Sequence, residues 1–170
     1  LFCGGKGRRM FPFSTYRPKC LLPIGNIPLL KHWLIALQEM RIEETILICD
    51  PVEARQSRGL TEEFPFSRIV SAENRQIWEA LENLCSEQPV LLANGDGFLS
   101  VLDLKRLLSS YEEKGNSILL NQIEDFRSTE CICADVQDKV VSLYGHPRAH
   151  YVNAQSCGVA IIDNSVLRYL

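Results

Sequence analysis

Five cations and three glycines fall within the sixteen residues from Gly4 to Lys19, which read Gly-Gly-Lys-Gly-Arg-Arg-Met-Phe-Pro-Phe-Ser-Thr-Tyr-Arg-Pro-Lys. They follow Leu1-Phe2-Cys3, an apolar stub that reads as the end of a β-strand. A strand that runs into a glycine-rich loop offers its backbone N–H groups to phosphate oxygens, because glycine adopts φ > 0 and puts no side chain in the way. Lys6, Arg8, Arg9, Arg17 and Lys19 can neutralise the same oxygens, so the expected ligand is polyanionic. An ordinary strand-to-loop turn would account for the glycines alone. Pro12 and Pro18, however, stiffen a stretch with neither helical nor strand periodicity, which predicts a long ordered loop.

Asp96 is the second candidate. It lies in Asn94-Gly95-Asp96-Gly97, directly after the apolar run Pro89 to Ala93. A carboxylate beside phosphates is costly unless a cation lies between them, and Mg²⁺ is the hard cation that prefers oxygen ligands. Asn-Gly-Asp is equally ordinary turn chemistry, and the residues alone leave both readings open. His32, His146 and His150 are too dispersed for a nucleophilic triad. Cys131-Ile132-Cys133 lacks the second pair that a zinc site needs.

These residues need a scaffold. Leu29, Leu30, Trp33, Leu34, Leu37 and Met40 recur at helical spacing after Pro28, which predicts an amphipathic helix there. Thr45 to Cys49 reads as a strand closed by a turn at Asp50-Pro51. Arg68 to Ser71 reads as another strand, followed by a helix carrying Ile77, Trp78, Leu81 and Leu84. A buried strand over Pro89 to Ala93 precedes a helix from Leu102 to Glu113, stopped near Gly115. Ser117 to Gln122, Cys131 to Val136, Lys139 to Tyr144 and Cys157 to Ile162 are four more strands, before a short final helix. Alternating strands and helices predict an α/β fold with a mostly parallel sheet covered on both faces. Ligands of such sheets bind beyond the carboxyl ends of the strands, where Gly4 to Lys19 and Asn94 to Gly97 both fall.

Composition bounds the answer further. The 170 residues are 46% hydrophobic and 23% charged with a net charge of −3, enough for one buried core and without the basic field of a nucleic-acid binder. No apolar run approaches the ~20 residues that span a bilayer, and no signal peptide is visible, so a soluble cytoplasmic protein is expected. The seven cysteines are scattered through apolar segments and read as free buried thiols.

Gly4-Gly5-Lys6-Gly7, Arg9, Pro12, Pro18-Lys19, Leu22-Pro23-Ile24, Asn26 and Pro28 together closely resemble the signature of sugar-phosphate nucleotidylyltransferases. That family includes glucose-1-phosphate thymidylyltransferases, mannose-1-phosphate guanylyltransferases and ADP-glucose pyrophosphorylases. The resemblance implies a three-layer α/β/α, Rossmann-like nucleotide-diphospho-sugar transferase domain over residues 1–170, with a mixed, mostly parallel sheet, truncated at both ends. It implies that a nucleoside triphosphate condenses with a sugar 1-phosphate to give a nucleotide sugar and pyrophosphate. It also implies that Arg9, Lys19 and Asp96 are catalytic, with Mg²⁺ on Asp96. Gly4, Gly5, Gly7 and Gly95 would then bind the nucleotide, and Asn153 and Gly158 the sugar substrate. Neither nucleic acid nor membrane is an expected partner, and self-association stays open.

The chain departs from the family pattern at four places. Arg8 replaces a threonine or serine, and Arg75-Gln76-Ile77-Trp78 replaces the element that contacts the nucleobase. Gly145-His146-Pro147 stands where a glutamate-lysine-proline element meets the sugar phosphate, leaving His146 or Arg148 to supply the counter-charge. A second metal-binding aspartate would lie beyond Leu170. The alternative these departures raise is a catalytically degenerate regulatory or nucleotide-binding subunit. A dinucleotide-binding oxidoreductase fits less well, since no helix starts after the glycines and the acidic residue, Asp50, comes roughly forty rather than ~20 residues on.

Overall fold

The computed structural model describes residues 1–5, 7–71, 88–122, 131–144 and 152–167. Its centre is the three-residue stub. The Phe2 N–H donates to the Ala93 carbonyl (2.8 Å) and the Cys3 N–H to the Ile48 carbonyl (2.9 Å), so Leu1 to Cys3 runs parallel to a neighbour on each side. Those neighbours are β3 (Thr45–Cys49), itself parallel to β4 (Ser67–Ser71), and β5 (Val90–Ala93).

Beyond β5 the sheet changes sense. The nine-residue β9 (Ala154–Ile162) runs antiparallel to β5, to β6 (Ser117–Gln122) and to β7 (Cys131–Ala134), and β8 (Val140–Tyr144) pairs with β7. The sheet is therefore mixed, parallel around the stub and antiparallel around β9. A register shift between Ile118 and Leu120 against β9 marks a bulge beside Cys157-Gly158.

Helix α1 (Leu29–Glu39) forms where the apolar spacing predicts, burying Leu29, Leu30, Trp33, Leu34, Ala36 and Leu37. It ends in a Schellman motif: the Ile42 N–H donates to the Leu37 carbonyl (3.0 Å) and the Arg41 N–H to the Gln38 carbonyl (3.0 Å), with Arg41 at φ 58°. α3 (Val101–Lys114) is capped by Ser100, whose side chain accepts from the Asp103 N–H, and stops at Gly115. A short α4 (Asn164–Leu167) follows β9.

The turn expected at Asp50-Pro51 is instead the start of α2 (Pro51–Glu63). The Asp50 side chain accepts from the Val52 and Glu53 N–H groups, the Glu53 carboxylate accepts from the Asp50 N–H, and Pro51 occupies the first helical position. The helix has a thin apolar stripe, with Ser57 fully buried where a hydrophobe would normally sit, which is why periodicity does not reveal it.

Leu30 and Leu34 of α1 and Ala54 and Leu60 of α2 pack with Cys3, Leu47 and Cys49 on one face of the sheet. Trp33 and Ala36 join Leu104 and Leu107 of α3 over Ala93, Val159 and Ile161. Ile48 points the other way, into a cluster with Phe2, Ile46 and Leu92. The helix expected over Ile77, Trp78, Leu81 and Leu84 lies outside the described residues. Among those residues no helix is long and apolar enough to cross a membrane.

Candidate functional site

The chain leaves the central stub at Cys3 and returns to the core at Cys20, and both thiols are buried. Between them the polypeptide folds into three single turns of 3₁₀ helix, Arg8–Met10, Phe13–Thr15 and Lys19–Leu21. The start of the loop lies against its end: a Cβ on Gly7 would stand 2.9 Å from the Ser14 Cβ and 3.8 Å from the Lys19 Cβ. Only a residue without a side chain permits that closure, which places Lys19 at the mouth of the sheet. A hairpin of β1 (Pro23–Ile24) and β2 (Ile27–Pro28) then leads into α1.

Asp96 approaches from the neighbouring strand. After β5 the chain makes a tight turn closed by the Gly97 N–H on the Asn94 carbonyl (3.1 Å). The turn lies flat on the stub: the Gly95 N–H donates to the Phe2 carbonyl (2.8 Å), and a Cβ on Gly95 would come within 3.2 Å of both that oxygen and the Cys3 Sγ. Opposite, the Asn94 N–H donates to the Gly158 carbonyl (2.9 Å). Gly158 has φ +71°, and a Cβ there would meet the Asn94 Nδ2 at 2.5 Å. The turn is thus held between the stub and the bulge of β9.

Lys19 Nζ donates to Asp96 Oδ2 at 2.5 Å across 77 residues of sequence. Each side chain is 34% exposed, so the pair is reachable by a ligand and partly screened by water. Arg9 is exposed on the first 3₁₀ turn, and among the described residues it makes no ion pair. Gly4 sits above Glu53, with 3.8 Å between its would-be Cβ and Glu53 Oε2. Burial pushes the Glu53 carboxyl up to about 7, against the opposing pull of the Asp50 N–H. The neighbouring Cys3 sulfur and burial away from water push the Cys20 and Cys49 thiols well up, so both stay protonated. The described cysteines form no disulfide with one another, and Cys85 lies outside the described residues.

The two residues expected to bind substrate, Gly158 and Asn153, have different surroundings. Gly158 is in the wall of the site through Asn94. The Asn153 carboxamide donates to the Ala134 carbonyl and accepts from the Ala134 N–H, both at 2.8 Å, extending the β7–β9 ladder as a strand residue would. Lys6, the Arg75 to Trp78 segment, and Gly145 to Arg148 with His150 lie outside the described residues. Trp33, legible in the sequence only as part of an apolar stripe, also donates its indole N–H to the Gly97 carbonyl at 2.8 Å.

Among the described residues no three His, Cys, Asp or Glu side chains are grouped to hold a metal. Asp96 offers a single carboxylate. That donor set suits Mg²⁺, which keeps several waters and takes one or two carboxylates together with substrate phosphates rather than an all-protein cage.

Residues 1–159 match the family model of the MobA-like NTP transferase domain. A mannose-1-phosphate guanylyltransferase of Mycobacterium tuberculosis is 26% identical over 179 residues, covering 96% of this chain and 48% of that protein. A candidate glucose-1-phosphate thymidylyltransferase from Bacillus anthracis superposes with a TM-score of 0.81 at 19% identity, covering 99% of this chain and 72% of that one. The inositol-1-phosphate CTP transferase of T. maritima gives 0.79 at 16% identity, over 98% and 70%. At those identities the two structures establish the shared fold alone. The chain spans about half the length, or less, of the curated relatives it matches.

Proposed function

We propose that this chain, which belongs to the MobA-like NTP transferase domain family, is a nucleotidyltransferase that condenses a nucleoside triphosphate with a sugar 1-phosphate. The observation that carries the reading is the meeting of Lys19 and Asp96, from loops after adjacent parallel strands, at 2.5 Å. A cation and an anion brought together at the carboxyl edge of such a sheet suit a ligand that carries phosphates and a metal.

In this reading a phosphate oxygen of the sugar 1-phosphate attacks the α-phosphorus of the triphosphate. A new P–O bond forms, the bond to the α–β bridging oxygen breaks, and pyrophosphate leaves with that electron pair. Such transfers depend on positioning and charge neutralisation more than on covalent help from the protein. Lys19 exchanges Asp96 for the reacting phosphates, and Arg9 neutralises charge developing on the departing pyrophosphate. Backbone N–H groups around Gly4, Gly5 and Gly7 orient the triphosphate, while Gly95 lets the Asp96 turn approach it. Gly158 shapes the wall beside Asn94, and Asn153 belongs to the sugar side. Asp96 would hold Mg²⁺, which when bound supplies positive charge to the phosphate oxygens.

The test is pyrophosphate release from a panel of nucleoside triphosphates and hexose 1-phosphates. Turnover of at least one pair, abolished by Lys19→Ala and by Asp96→Ala, supports the enzyme. Nucleotide binding without turnover across the panel supports a regulatory subunit instead.

A further inference from the structure

A buried indole N–H needs an acceptor wherever it lies. What sets Trp33 apart is the acceptor it has, the carbonyl of the residue after Asp96. Two of the bonds that hold the Asn94 to Gly97 turn in place, to Phe2 and to Gly158, are backbone to backbone and use no side-chain group. The bond from Trp33 Nε1 to the Gly97 carbonyl, at 2.8 Å, comes from a side chain that is 3% exposed and locked between Ala36, Leu104 and Val159. The adjacent residue of α1 grips the other half of the site. His32 Nε2 lies 2.9 Å from the Ile24 carbonyl in the hairpin that follows Lys19, and its ring stands edge-on to Phe98 with centroids 5.5 Å apart. One turn of one helix therefore fixes both the segment after Lys19 and the segment around Asp96.

We propose that Trp33 is a positioning residue of the phosphate site, aiming the Asp96 carboxylate at the cation that accompanies the triphosphate. The inference rests on the nucleotidyltransferase reading. Without the indole donor, the Gly97 carbonyl turns toward water and the turn rotates about its two backbone anchors. Asp96 then loses its orientation, while the loop that binds the triphosphate itself is untouched.

Calorimetric titration tests this, using the tightest-binding of ATP, CTP, GTP, UTP and dTTP, once in excess EDTA and once in saturating Mn²⁺. Wild type is compared with Trp33→Phe, which keeps an aromatic ring in the core and removes the donor. The expected variant folds cooperatively and keeps its affinity in EDTA within about twofold. It loses roughly five- to tenfold of the affinity that Mn²⁺ adds, the size of one neutral hydrogen bond. An undiminished Mn²⁺ gain overturns the proposal, and so does an equal loss in EDTA, which marks Trp33 as a packing residue only. A wild-type protein that gains nothing from Mn²⁺ overturns the parent reading, and the proposal with it, whatever the variant does. If Trp33→Phe does not fold, ¹⁵N-labelled tryptophan in the wild-type protein decides. The Trp33 indole resonance, assigned with Trp78→Phe, should move with Mg²⁺ plus nucleotide and stay in place with nucleotide in EDTA. A resonance that ignores the metal refutes the coupling.

Discussion

Gly158→Ala tests how the wall of the site is built. Two costs apply. The residue sits at φ +71°, a conformation that costs about 1–2 kcal/mol once a Cβ is present. The added methyl also meets the Asn94 Nδ2 at 2.5 Å, its Cγ at 3.1 Å and its Cβ at 3.3 Å, so the Asn94 side chain must leave its place, at about 1–3 kcal/mol for overpacking. The sum is about 3 kcal/mol, and for a domain of this size the Tm should drop by roughly 10 °C. Urea denaturation should show a lower midpoint with an unchanged m-value. The two costs largely separate in the Asn94→Ala background, where the Nδ2 and Cγ are gone and the backbone strain remains with only the milder 3.3 Å contact to the Asn94 Cβ. There Gly158→Ala should cost about 1–2 kcal/mol. An equal cost with and without the Asn94 side chain, or a cost below about 0.5 kcal/mol in the wild-type background, refutes the close approach described above.

Glu53 should make stability depend on pH. Its carboxyl, normally near 4.5, is pushed up to about 7 by burial. Between those values the folded protein holds a proton that the unfolded chain has released, so stability falls by about 2–3 kcal/mol as pH rises through the window and is level above it. Glu53→Gln should flatten that slope in denaturation curves from pH 4.5 to 8. At the end of α1, Arg41→Gly should raise stability by about 0.5–1 kcal/mol, because the Schellman position has φ 58° and the arginine is exposed. Lys19→Met should change stability by less than about 1 kcal/mol, since the ion pair it breaks is a third exposed. The same substitution should weaken triphosphate binding by roughly ten- to a hundredfold, the loss of a charge-assisted hydrogen bond, measured by titration.

Strands β3 to β9 and helices α1 and α3 are legible because their signals are local and repetitive, whereas the two-residue strands β1 and β2 carry no such signal. β5 is an unbroken apolar run, β3 is one after Thr45, β6 carries Ile118-Leu119-Leu120, and α1 and α3 carry stripes at helical spacing that begin after Pro28 and stop at Gly115 respectively. α2 is not legible from periodicity, although Asp50, Pro51 and Glu53 spell a capping box, because its interior is polar and its buried Ser57 interrupts the stripe. At the site, the pairing of Lys19 with Asp96 could be anticipated, since both follow strands whose carboxyl ends share one edge. The jobs of Gly95, Gly158 and Trp33 could not. Each depends on a contact between residues from separate segments, to Phe2, Asn94 and Gly97 respectively, and no spacing along the chain encodes such a contact. Asn153 is a further case: its carboxamide is engaged with the Ala134 backbone, a pairing across nineteen residues that its place in the sequence does not reveal.

The fate of the α-phosphate is the most direct measurement of the account. Incubation with Mg²⁺, a hexose 1-phosphate and a nucleoside triphosphate labelled with ³²P at the α or the γ position separates the chemistries. The α label should appear in a nucleotide sugar and the γ label in pyrophosphate, both lost in Asp96→Asn. A γ label found on the sugar or as inorganic phosphate, or an α label that never leaves the triphosphate with any sugar phosphate, would contradict it.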